Sequence, residues 1–198
     1  LGKECLKLFA EALPPIWHNA LLASSLDENE LKRAIENLED YEFLQVELNK
    51  KDWVTFVANG ANLPRFSGAN DHPLLDGKIL FAAPEGLKAS LELPHAGKIE
   101  GMFIPKGITL IVGGGFHGKS TLLRAIQDAV YPHIAGDGRE RVATLPSATK
   151  VRAEDGRAVR EVNLSAFMDH LPGIDSTEQF STQSASGSTS QAVNILEA

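Results

Sequence analysis

The stretch that decides the fold is ITLIVGGGFHGKSTLLRAI, residues 108–126. Gly113, four further residues, then Gly118, Lys119 and Ser120 satisfy the pattern G-x-x-x-x-G-K-[ST]. Glycines let the backbone curl so that successive N–H groups face phosphate oxygens, and the helix that follows adds partial positive charge at its N-terminus. Lys119 is placed to reach the β- and γ-phosphates, Ser120 to ligate Mg²⁺, and Thr121 to hold the α-phosphate from the first helical turn. Gly114, Gly115, Phe116 and His117 complete the loop, so the candidate nucleotide contacts run from Gly113 to Thr121. His117 is the odd member, able to touch a phosphate or to serve as a spacer. The flanks agree with a phosphate loop. ITLIV has Thr109 as its one polar residue, as expected of a strand buried on both faces, and KSTLLRAIQDAVY reads as a helix. The expected ligands are ATP or ADP with Mg²⁺.

Upstream the pattern is β. LKASLEL (87–93) alternates, HAG turns, KIEGMFI (98–104) pairs back, and Pro105-Lys-Gly107 turns again. WVTFVA (53–58) also has strand character. NGANLPRFSGANDHP (59–73) between them is rich in turn formers and reads as a loop and a domain boundary. Residues 1–50 read as helical. Leu6, Phe9 and Leu13 lie at helical spacing until Pro14–Pro15 stops that helix. Asp27, three residues before Glu30, opens a second helix with Leu31, Ile35, Leu38 and Leu44 as its buried stripe. Downstream, RVATL (141–145) and KVRAEDGRAVREVNL (150–164) suggest short strands, the latter two joined by an Asp-Gly turn. Ser165 is expected to cap a short helix, AFMDHL.

Composition bounds the function. Of 198 residues, 43% are hydrophobic and 23% charged, ordinary for a folded domain. No apolar run nears the roughly 20 residues that span a bilayer, so the chain is not expected to be a membrane protein itself, and nothing in it identifies a membrane partner. A lone cysteine, Cys5, makes no internal disulfide and fits a reducing compartment. The net charge of -7 argues against a broad nucleic-acid surface.

IPKGITLIVGGGFHGKSTLLRAI (104–126) resembles the core of ATP-binding-cassette (ABC) ATPases. With FVANGANLPRFSG (56–68), GDGRERV (136–142), VRAEDGRAV (151–159) and FSTQSASGSTSQA (180–192), it is similar to a soluble family of ABC-class ATPases that includes a trypanosome mitochondrial ATPase associated with RNA editing. The resemblance implies an α/β P-loop NTPase fold of ABC type, with a small helical region over 1–60 and the N-terminal part of the nucleotide-binding domain over 61–198. It implies a head-to-tail homodimer closing on ATP, and it reassigns the Ser-rich stretch near the C-terminus.

By composition that stretch reads as a linker, since nine of the fifteen residues from Ser176 to Ser190 are Ser or Thr. Under the resemblance it carries the ABC signature, with Ser186 and the N–H groups of Gly187 and Ser188 contacting the γ-phosphate of ATP held by the other subunit. Ser188 stands where the usual motif has a second glycine. No glutamine occupies the middle of the interval where ABC proteins place their glutamine loop, so Glu154 and Asp155 are the acidic candidates, with an ordinary β-turn as the equal alternative. Arg139 and Arg157 are candidate phosphate or nucleic-acid contacts, weighed against plain surface arginines. The strand carrying the hydrolytic carboxylate is expected beyond Ala198, so the hydrolytic machinery belongs to a longer protein. The rival reading from the same resemblance is an RNA-binding component of mitochondrial RNA processing with ATP as a conformational switch. The location is then mitochondrial, or otherwise cytoplasmic.

Overall fold

The computed structural model describes residues 2–169 and 176–198. They form two compact units, divided between Ala148 and Thr149.

The first unit is built on a four-stranded antiparallel sheet. Its strands are β1 (Trp53–Ala58), β4 (Lys88–Leu93), β5 (Gly97–Pro105) and β6 (Val142–Thr144), in the order β4-β5-β1-β6. The hairpin read from LKASLEL and KIEGMFI is present, with Leu91 opposite Ile99. β1 lies between β5 and β6 and is covered on both faces, its one polar side chain, Thr55, being buried and donating to the Ala143 carbonyl at 2.8 Å. Phe56 and Ala58 pack under α3 (Glu28–Lys50) with Tyr41, Leu44 and Leu48. Val57 points the other way and meets Ala125 and Ala129 of α4 (Lys119–Asp128) and the turn after it. Full burial of Leu44 and Leu48 contributes about 1.5–3 kcal/mol each. Gly101 is required by close approach, since a Cβ there would sit 2.3 Å from the Val57 carbonyl oxygen.

α3 starts as expected: the Asp27 carboxylate accepts from the N–H groups of Asn29 and Glu30 at 2.8 and 2.9 Å. Its buried stripe is displaced toward the C-terminus. Leu44 is buried as expected, but Leu31, Ile35 and Leu38 are exposed, because α3 overlies the sheet only from Asp40 onward. The first helix is not stopped at Pro14–Pro15. After α1 (Gly2–Lys7) a π-helical turn (Leu8–Ala12) leads into α2 (Leu13–Leu21), whose first turn carries the prolines. Proline is tolerated there because the first N–H groups of a helix have no intrahelical acceptor. Within the stretch read as loop and boundary, β2 (Arg65–Ser67) and β3 (Asn70–Pro73) form a small hairpin inside the first unit.

One expectation fails outright. ITLIV is neither strand nor buried: it has no ladder partner among the described residues, and Ile108 is 104% and Leu110 81% exposed. The edges of β5 are already taken by β4 and β1. After Pro105 the chain leaves the sheet, with Gly107 in the left-handed region at φ +117° and Lys106 tied to Asp52.

The second unit holds β7 (Val159–Val162), β8 (Phe180–Thr182) and α5 (Gly187–Glu197). Val159, Leu164, Phe180, Ala185, Ala192 and Val193 form its core. β7 pairs antiparallel with β8 rather than with the 150–154 segment, which is not a strand. Ser-rich FST is therefore sheet, anchored by buried Phe180. Of the helix expected over AFMDHL, residues 170–171 lie outside the described residues, and 165–167 form a turn.

Candidate functional site

The phosphate loop leads into α4, whose N-cap Gly118 is left-handed at φ +77° and offers no side-chain cap. The first N–H groups of the helix are therefore left for a ligand. Gly113 at φ +153° and Phe116 at φ +60° complete the turn. The Lys119 ammonium folds back into the loop and donates to the carbonyls of Gly113 at 2.6 Å and Gly114 at 2.5 Å. His117 lies over the same glycines: a Cβ on Gly114 would stand 3.2 Å from its Cε1. The imidazole thus closes one side of the loop. Ser120 is exposed, Thr121 is half-buried, and Phe116 is fully exposed.

The loop forms one side of a cleft of about 800 Å³, in the size range of small-molecule sites. Val112, Phe116, His117, Lys119, Thr121 and Leu122 line that side. Facing them is a mainly apolar wall of Leu63, Pro64, Leu74, Ile79, Leu80 and Phe81, with Lys78 as its one charged member. Sequence reading missed this wall. Its signal was present in Leu63-Pro64, inside the stretch read for its turns, and in the apolar run ILFAA (79–83) beyond that stretch. The wall is held by backbone bonds: Phe81 N–H donates to the Ala61 carbonyl at 2.9 Å, and Leu74 N–H to that of Pro64 at 3.1 Å.

Arg139 is not at the surface. It is 1% exposed, and its guanidinium donates to the Leu63 carbonyl and to Asp128, so the side chain is committed to the interior rather than presented to a phosphate or a nucleic acid. Burial pulls its pKa down, as does nearby Arg65, while Asp128 opposes both.

In the second unit Ser186 is the N-cap of α5, and its Oγ accepts from Thr189 N–H at 3.4 Å. The Ser186 hydroxyl also bonds those of Ser188 at 3.2 Å and Thr189 at 2.9 Å. Ser186 and Ser188 face outward, whereas Thr189 and Ser190 are buried. The RAEDGR turn is docked on this helix. Glu154 N–H donates to Ser190 Oγ at 2.8 Å, Asn194 Nδ2 donates to the Arg152 carbonyl at 2.8 Å, and Arg157 pairs with Glu197 at 2.6 Å. Gly187 packs so closely that a Cβ would meet Asp155 Oδ1 at 2.9 Å. Structure thus brings Glu154, Asp155 and Arg157 together with Ser186, Gly187 and Ser188, and commits Arg157 to an ion pair.

Among the described residues, no helix is long and apolar enough to cross a membrane. A profile of the ABC ATPase P-loop domain matches residues 27–198. The chain is 31% identical over 170 residues to Uncharacterized protein MJ1628 of Methanocaldococcus jannaschii, covering 82% of this chain and 38% of that protein. It therefore spans well under half of that relative. With this match covering most of its length, the chain belongs to the ABC ATPase P-loop domain family.

Proposed function

We propose that the cleft of the first unit binds ATP with Mg²⁺, and that the longer protein hydrolyses it as a head-to-tail pair of subunits. The observation carrying this reading is Lys119. Its ammonium sits at the cleft mouth on two loop carbonyls that a phosphate would outcompete as partner, beside helix N–H groups left uncapped by Gly118.

Each residue then has a task. Lys119 neutralises the β- and γ-phosphates, the N–H groups from Gly113 to Gly118 wrap them, and Thr121 reaches the α-phosphate. The Ser120 hydroxyl holds Mg²⁺, which supplies charge neutralisation across the β- and γ-phosphates. The nucleoside lies against the apolar wall. In the second unit Ser186, Gly187 and Ser188 present a hydroxyl and N–H groups to the γ-phosphate bound by a second copy. The close packing of Gly187 on Asp155 explains a small residue there. Glu154 stands in the interval of the glutamine loop and is the acidic candidate for water or Mg²⁺, ADP being the product.

Lys119→Ala tests the reading: ATP turnover by the longer protein is expected to collapse, and undiminished turnover contradicts the assignment. Roles in mitochondrial RNA processing rest on the resemblance alone. A salt-dependent RNA titration at low ionic strength tests them, because phosphate contacts weaken as salt rises.

A further inference from the structure

The GDGRERV turn lies behind the cleft, and its contacts converge on one strip of chain. Gly138, at φ +83°, presses so closely on the strip that a Cβ would stand 2.7 Å from the Asn62 Cβ. Asn62 N–H donates to the Gly138 carbonyl at 2.7 Å, and its amide donates to that of Leu74 at 2.9 Å. Arg65 donates to the Asp137 carbonyl at 3.0 Å and pairs with its carboxylate at 2.5 Å. At the centre, buried Arg139 donates to the Leu63 carbonyl from Nε at 3.1 Å and Nη2 at 2.5 Å, and to Asp128 Oδ2 from Nη1 at 3.0 Å. Leu63 belongs to the apolar wall, and Asp128 is the last residue of the helix that Lys119 opens. One guanidinium therefore joins the two sides of the cleft from behind.

We propose that Arg139 and Asp128 are positioning residues that set the distance between the phosphate loop's helix and the apolar wall, and so the affinity for the nucleoside half of a nucleotide they never touch. A planar guanidinium suits this task. Its fixed fork takes a carbonyl on one edge and a carboxylate on the other, a geometry that lysine, with one donor centre, cannot reproduce. The inference rests on the reading of the cleft as the nucleotide site.

The test compares two probes, ATP and inorganic tripolyphosphate, each titrated with Mg²⁺ into the 198-residue chain and its variants. Tripolyphosphate engages the loop alone, whereas ATP also needs the wall. Arg139→Lys is expected to weaken ATP roughly tenfold, as an imperfectly preorganised site does, while tripolyphosphate affinity stays within about twofold. Asp128→Asn, which leaves both bonds to Leu63 in place, is expected to move ATP the same way by less. It decides the matter if Arg139→Lys fails to melt cooperatively. Equal weakening of both probes, or unchanged ATP affinity in folded variants, overturns the proposal. If the parent chain binds neither probe, the nucleotide reading of the cleft falls instead.

Discussion

Two helix starts in this molecule look alike in sequence and differ in physics. α4 opens after GGGFHG and α5 after SAS, both in small residues followed by hydroxyls. α4 begins on a left-handed glycine with no side-chain cap and brings a lysine to its first turn. α5 begins on Ser186 in extended conformation, with its Oγ already on the N–H of Thr189 and no cation at residues 186–190. The first start is open and positively charged, and can take a phosphate by itself. The second satisfies part of itself and carries no charge, so it suits an anion already neutralised elsewhere. That difference is why a half-site in trans is the role proposed for Ser186.

Lys119→Ala should break the contrast most deeply. Removing a preorganised charge from a phosphoryl-transfer site is expected to lower kcat by about 10²–10³-fold in the longer protein. Ser186→Ala should cut turnover by roughly tenfold and cost α5 about 1 kcal/mol, the usual penalty for losing a cap, while ATP affinity of the single chain is unchanged. Loss of single-chain affinity would place Ser186 in the same site as Lys119 and erase the distinction.

Phe116→Gly sharpens it from the other side. Phe116 holds φ +60° with its ring fully exposed, so glycine should relieve strain without loss of burial and stabilise the first unit by about 1 kcal/mol in a denaturant melt. A lower midpoint would show that the ring is packed in solution. The smallest effect expected is one of acidity, and it falls on the first unit. Burial pushes the His133 pKa below 6.5, against the pull of Asp137, with Arg139 and Arg65 adding to the fall. The unfolded chain then binds the proton more readily. Stability is fully present above about pH 6.5 and drains away as pH drops through the folded value. Replacing His133 by Asn should flatten that slope in melts between about pH 5 and 7.5.

Much of this was legible in the residues because it depends on local chemistry. The phosphate loop, the Asp27 cap and the 88–105 hairpin are written in spacing, in a carboxylate at a helix start and in alternation. What failed depends on neighbours. ITLIV has the composition of a buried strand, but burial needs strands on both edges and layers on both faces, and β5 already has its two partners. Leu31, Ile35 and Leu38 have the right period for a core, yet the sheet lies under only the far half of α3. Arg139 looked like any surface arginine because nothing local announces that Leu63 and Asp128 will meet around it. FST in the Ser-rich stretch became a strand because buried Phe180 outweighs the composition around it.

Calorimetric titration of the 198-residue chain with Mg²⁺-ATP, parent against Lys119→Ala, goes straight to the phosphate loop. Saturable binding that weakens by at least roughly tenfold in the variant, as expected on losing a charge-assisted contact, is the outcome foreseen. Equal affinity in both chains would mean that the lysine and its glycine loop do not hold the nucleotide.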